Sequence, residues 1–171
     1  LENGTDSLLG DGLAYDRCQV GIVTNVDPSR HFGRYDVHTP EQVFTVLRTQ
    51  VDVILPNGAA VLNASQPMLV DMAPLCDGEV IYFARDGQLP VVVAHLAENK
   101  RAVLLRGREL VAARGSQETV ITKLESMSLA LSLNGDNDWQ IDNVLAATAA
   151  AMALEIAPEI IRTGLETFSL A

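Results

Sequence analysis

The residues best suited to chemistry are few and widely spaced. His31 stands in "SRHFGRYD", shortly after the apolar run "VGIVTNV". An imidazole can carry a proton near neutral pH or, when neutral, ligate a metal. In open parallel sheets the ligand crevice lies outside the carboxyl ends of the strands, and "SRHFG" begins just past the end of the apolar run. The same residue also reads as ordinary loop punctuation. Glu2, Asp6, Asp11 and Asp16 lie upstream, and one of them could share a hard cation with His31 through carboxylate oxygens. In an acidic chain they read equally as solvated loop residues. Asn143 precedes "VLAATAAAMAL", where a side-chain amide suits a helix cap.

Complete catalytic motifs are absent: there is no G-x-x-x-x-G-K-[ST], G-x-S-x-G, H-E-x-x-H or C-x-x-C. Gly10 and Gly12 in "LLGDGLAYD" lack the third glycine of a dinucleotide loop and read as a turn.

The elements that must position these residues follow from periodicity. "CQVGIVTNV", from Cys18 to Val26, is apolar without clean alternation, which predicts a central parallel strand covered on both faces. "TPEQVFTVLRTQVDVI" predicts an amphipathic helix, with Thr39 as N-cap, Pro40 at the first helical position and Glu41 in the first turn. Val43, Phe44, Leu47, Val51 and Ile54 follow at helical spacing. "PNG" then turns the chain into a strand "AAVLN" at 59–63, Pro67 opens a short helix, and "EVIYFA" is the next strand. This alternation predicts a parallel α/β sheet with right-handed crossovers.

"PVVVAHLAE" fits a helix or a strand, and "RAVLLRG", "ELVAARG" and "ETVITKL" predict a small antiparallel sheet appended to the parallel one. Residues 126–140, around "NGDND", read as a loop or mobile hairpin. Asp142 or Asn143 caps the Ala-rich helix, and Pro158 opens "EIIRTGLETF", with Ile161, Leu165 and Phe168 on one face. The divisions are thus a lead-in loop (1–17), a β/α core (18–86), a small β-rich element (87–125), a loop (126–142) and two closing helices (143–171).

The 171 residues, 48% hydrophobic, suffice for one domain or a piece of one. A net charge of -10 argues against nucleic acid as a partner. Lys100, Arg101, Arg106 and Arg108 read as two charged strand ends. The apolar stretch from Val144 to Ile156 is shorter than the roughly 20 residues a membrane span requires, so no membrane role is expected. No export signal is visible, which makes the cytoplasm the expected location, with Cys18 and Cys76 as reduced core thiols. His95 reads as a satisfied, partly buried side chain and Trp139 as an anchor of the preceding loop onto the core.

Taken in order, "DRCQVGIVTN", "RTQVDVILPNGAAVLNA" and "NVLAATAAAMAL" resemble the cyanophycin synthetases, in the part of those enzymes similar to Mur ligases and folylpolyglutamate synthetase. "RHFGRYD" looks most like the bacterial, non-cyanobacterial branch. The resemblance implies an ATP-dependent ligase that extends cyanophycin, a poly-aspartate backbone with arginine on each side-chain carboxyl. Its implied cofactors are ATP and Mg2+, and its implied partners are a cyanophycin primer, L-arginine and L-aspartate. The implied assembly is a homo-oligomer.

Carried over by position, "LENG" makes Glu2 a magnesium ligand and "TN" followed by "RHFG" makes His31 a second one. Asn143 matches an adenine-contacting asparagine, and Asn25 helps to shape the site. Three departures accompany the match. Arg30-His31 stands where many relatives have Asp-His, "NASQP" replaces "NADDP", so that Ser65 and Gln66 receive no role, and Arg48 and Gln50 occupy the region of the Mur-type modified lysine. The family's phosphate loop lies upstream of "LENG" and a further domain lies downstream. The chain is therefore expected to be the latter part of the central, arginine-adding ATPase domain, inactive alone. The alternatives are another Mur or folylpolyglutamate synthetase-type ligase fragment and a non-catalytic binding or assembly module.

Overall fold

In the computed structural model the described residues are 2–27, 29, 31–127 and 138–168. Helix α1 (Thr5–Asp11) leads into strand β1 (Cys18–Val23), helix α2 (Pro40–Asp52) and strand β2 (Ile54–Asn63). Helix α3 (Pro67–Val70), strand β3 (Glu79–Ala84), helix α4 (Pro90–Ala97) and strand β4 (Arg101–Arg106) follow. Strands β5 (Glu109–Arg114) and β6 (Gln117–Lys123) and helices α5 (Asp138–Ala153) and α6 (Pro158–Thr167) complete the order.

The six strands lie side by side in chain order, β1 to β4 parallel and β5 and β6 antiparallel. The fold is α/β, a mostly parallel sheet flanked by helices. The antiparallel element continues the same sheet, because β4 pairs with β3 on one side and β5 on the other.

Local signals explain α2. Thr39 Oγ1 accepts from the Gln42 backbone N–H at 3.3 Å, and Gln42 Oε1 accepts from the Thr39 N–H at 3.0 Å, a reciprocal cap. Val43, Leu47 and Val51 repeat every four residues and are buried, each stabilising the fold by about 1.5–3 kcal/mol. They join Leu62, Tyr82 and Leu104 from the strands, Leu69 from α3 and Val92 from α4 in one layer of core. Sequential strands with all three crossovers on one face are the product of connections of constant hand. The opposite face carries Val61, Ile81, Phe83 and Val103, covered by Leu145, Ala146 and Ala149 of α5 and Ile161 of α6.

Several expectations change. β1 ends at Val23, and β2 and β3 occupy the doubly buried positions expected for it. Among the described residues β1 is an edge strand, with Gln19 and Ile22 exposed. "PNG" is a bulge inside β2: pairing jumps from Cys18↔Ile54 to Val20↔Ala59. Gly58 is required there, since a Cβ would collide with the Gln19 carbonyl.

"PVVVAHLAE" is helical over Pro90–Ala97; its role as a parallel crossover overrides its β-branched run. The lead-in region contains α1, and α5 begins at Asp138, so Asp142 and Asn143 lie inside the helix and cap nothing. The rest of the 126–140 loop reading, at 128–137, falls outside the described residues. No helix among the described residues is long and apolar enough to cross a membrane.

Arg101 ties the amino ends of the strands to the end of α5. Its Nη2 donates to Glu79 Oε2 at 2.6 Å and its Nε to Glu79 Oε1 at 3.0 Å, while Nη1 donates to the Met152 carbonyl at 2.8 Å. Its side chain is only 15% exposed. The other cations of the basic cluster pair with acids, Lys100 with Glu98, Arg106 with Glu118 and Arg108 with Glu125, as charged strand ends. Burial pushes the Cys18 and Cys76 thiols up, keeping both in the protonated form of a core residue.

His95, 7% exposed, lies with its ring 4.6 Å from that of Tyr82, and Nε2 donates to the Arg101 carbonyl at 3.0 Å. Burial pulls its pKa below the ordinary 6.5.

These buried groups carry two predictions. Arg101→Ala, measured by denaturant midpoint, lowers stability by about 2 kcal/mol because Glu79 and the Met152 carbonyl lose their partner; Arg101→Lys recovers part of that. A loss under about 0.5 kcal/mol would show the cluster to be merely solvated. For His95 the unfolded chain takes up a proton as pH falls through about 6.5 while the folded ring stays neutral, so its stabilisation is full above that pH and lost toward its lowered native pKa. Thermal melts should show this acid-side loss reduced in His95→Leu; parallel curves for the two proteins would refute it.

Candidate functional site

The carboxyl ends of β1, β2 and β3 are neighbours, since Val23 pairs with Leu62 and Asn63 with Phe83. The segments leaving them, beginning at Thr24, Ala64 and Arg85, therefore share one end of the sheet. This is the position at which open parallel sheets form ligand crevices.

Asn25 and His31 both sit on the segment leaving β1 and are exposed. Buried Val26 and Phe32, each 6% exposed, fix that segment into the core on either side of the stretch containing His31. Asp27 Oδ1 accepts from the Ser29 N–H at 2.9 Å and the Ser29 hydroxyl at 2.6 Å, forming a local turn. The backbone around Asn25 is held by side chains from the exit of β2. Asn63 Nδ2 donates to the Thr24 carbonyl at 3.2 Å, and Gln66 Oε1 accepts from the Val26 N–H at 2.7 Å.

Helix α5 runs against the direction of the parallel strands. Arg85, just past β3, places Nε 3.1 Å from Asp142 Oδ1 near the start of α5, whereas Arg101, at the start of β4, holds the Met152 carbonyl near its end. Asn143 is thereby brought to the same end of the sheet as Asn25 and His31. It is exposed and lines a cavity of about 400 Å³ between α5 and α6, together with Met127, Trp139, Val144, Leu165 and Phe168. Trp139 is 59% exposed in the first turn of α5, so it borders this cavity and does not anchor into the core. Gln140 also lines the cavity, and among the described residues its Oε1 is buried without a hydrogen-bond partner. Such an orphaned acceptor costs about 1–3 kcal/mol and favours a ligand that brings a donor.

Glu2 is exposed three residues before the first residue of α1. Among the described residues no three His, Cys, Asp or Glu side chains converge as a metal cage. Sequence reasoning misses Asn63, Gln66 and Gln140. The visible signal for Asn63 is a polar residue closing the apolar run "AAVLN"; Gln66 and Gln140 carry no local signal, because what surrounds them comes from distant parts of the chain.

No family model matches the chain. In sequence it is 33% identical to the cyanophycin synthetase of Synechocystis sp. and 32% identical to that of Geminocystis herdmanii, in each case over 99% of this chain. It spans 19% of the length of each of these relatives. Among solved structures it is similar to MurF from Acinetobacter baumannii, with a TM-score of 0.60 over 99% of this chain and 32% of that one, at 15% identity. The chain is thus a relative, along nearly its whole length, of a segment of the cyanophycin synthetases, with the fold of a Mur ligase domain.

Proposed function

We propose that the chain is the latter part of a Mur-like ATPase domain in a ligase that builds cyanophycin, within the region that adds arginine. The observation that carries this reading is the likeness to cyanophycin synthetase over 99% of the chain. In the proposed reaction a side-chain carboxylate of the polymer attacks the γ-phosphorus of ATP and ADP departs. The amine of arginine then attacks the acyl carbon of the resulting acyl phosphate; phosphate leaves, the amine loses a proton, and an amide bond forms. The wider enzyme adds L-aspartate to the backbone by the same activation. The partners are thus a cyanophycin primer, L-arginine and L-aspartate, and the setting is a cytoplasmic homo-oligomer.

The chain's residues take three roles in this reading. Asn143 supplies a polar contact within the apolar cavity, Trp139 a flat apolar wall, and Gln140 Oε1 an acceptor for the exocyclic amine of adenine. Asn25 shapes the crevice beside His31. Glu2 and His31 would hold Mg2+, with phosphate and water oxygens supplying the rest of its shell. When bound, the metal offsets charge on the transferring phosphoryl group. The chain by itself is proposed to be inactive, because the phosphate loop and the groups above the nucleotide belong to other parts of the longer protein.

The test is ADP release by the full-length protein with cyanophycin primer, Mg2+ and arginine. Arginine-dependent turnover is expected, falling by about 100-fold or more in a normally folded His31→Ala variant. Asn143→Leu should raise KM for ATP by about 10-fold and leave KM for arginine unchanged. Turnover with a cell-wall or folate acceptor in place of cyanophycin would transfer the chain to another amide ligase, and nucleotide-independent behaviour would make it a binding module.

A further inference from the structure

The pairing of β1 with β2 stops at Val23↔Leu62, yet the backbone beyond it is not left to water. Val26 is 6% exposed, and the buried polar groups of such a segment must find partners. Two side-chain amides supply them. Asn63, 4% exposed at the last position of β2, donates through Nδ2 to the Thr24 carbonyl at 3.2 Å and accepts through Oδ1 from the Ser65 N–H at 2.9 Å. Gln66 Oε1 accepts from the Val26 N–H at 2.7 Å, while its backbone carbonyl accepts from the Leu69 and Val70 N–H groups at 3.0 and 3.1 Å. Thr24 and Val26 flank Asn25, so the backbone is gripped on both sides of it.

The polarity of this grip is specific. Asn63 must donate to a carbonyl and accept from an amide at once, which an aspartate cannot do. Gln66 only accepts, and a glutamate carboxylate accepts equally well. Both residues are also locked to their own turn, Asn63 through Ser65 and Gln66 through the first turn of α3. The path of the segment leaving β1 is therefore referenced to β2, whose last five residues are all buried, and not to its own turn at Asp27.

We infer that Asn63 and Gln66 are positioning residues. They set the place of Asn25 and His31 at the end of the sheet and so tune the magnesium–ATP site that those residues serve. The inference rests on the proposed reading of that crevice. The apolar contacts of Val26 and Phe32 keep the segment attached when the grip is removed, but they leave its register free to slide by fractions of an ångström, and a supporting shell loosened in this way costs metal affinity.

The experiment uses the full-length protein and compares Gln66→Leu, Gln66→Glu and Asn63→Asp with the wild type. Hydrogen exchange is followed by mass spectrometry over the peptide containing Val26, and ADP release is titrated with magnesium. Gln66→Leu should speed exchange in that peptide by about 10-fold, the loss of one buried hydrogen bond, and weaken the apparent magnesium affinity by about 10-fold. KM for arginine should stay unchanged, Gln66→Glu should restore both values, and Asn63→Asp should fail as Gln66→Leu does. Unchanged exchange in Gln66→Leu would remove the grip. Faster exchange with an unaltered magnesium titration would make the amides purely structural and overturn the positioning role. Wild-type turnover that needs no magnesium would overturn the reading of the crevice, and the positioning role with it, whatever the exchange data show.

Discussion

Strands β2 and β3 are the constraint from which the rest of the molecule follows, because Ala60, Val61, Leu62, Ile81 and Phe83 are wholly inaccessible and point alternately to both faces. A sheet buried on both sides needs two layers of helix. The crossovers α2, α3 and α4 supply one layer as a by-product of laying the parallel strands in order. The second layer must come from a chain that has finished the sheet, and α5 and α6 provide it by returning across the opposite face. The Ala-rich character of α5 suits it to that position, since Ala146 and Ala149 let the helix backbone lie close above Ile81 and Phe83.

The direction of that return creates the crevice. Arg101 holds the end of α5 at the amino ends of the strands and Arg85 holds its beginning at their carboxyl ends, so the first turns of α5 meet the segment leaving β3. A helix packed for apolar reasons thereby brings Asn143 and Gln140 to the end of the sheet that carries Asn25 and His31. The chemistry proposed for that end is placement and electrostatics, and it suits a scaffold of packed strands and helix. At the exit of β1, Asn63 and Gln66 replace the hydrogen bonds that the sheet ladder no longer offers.

Much of this is legible from residue order. The capped helix at Pro40–Asp52, the strand "EVIYFA", the three short strands after residue 100 and the Pro-initiated last helix all carry their signals within one or two turns or one strand. His31 is marked by its position after an apolar run, and His95 by its apolar neighbours. The expectations that fail share a cause. The run at Cys18–Val26 reads as central because its composition is apolar, yet centrality depends on which strands lie on either side. "PNG" reads as a turn from its residue types, whereas the register between β1 and β2 makes it a bulge. "PVVVAHLAE" is settled only by the need for a helical crossover between β3 and β4.

The sequence by itself determined the α/β class, the alternation of elements, the amphipathic face of α2, the likeness to cyanophycin synthetase and the candidate residues Glu2, Asn25, His31 and Asn143. Each rests on local periodicity, capping chemistry or an ordered set of short motifs. Only the tertiary structure decided that, among the described residues, β1 is an edge and Gln140 keeps an unpartnered oxygen at an apolar cavity, and that Asn143 lies within α5. It alone decided that Asn63 and Gln66 hold the backbone around Asn25. Hydrogen bonds between residues some forty positions apart depend on register and packing, which no local pattern encodes.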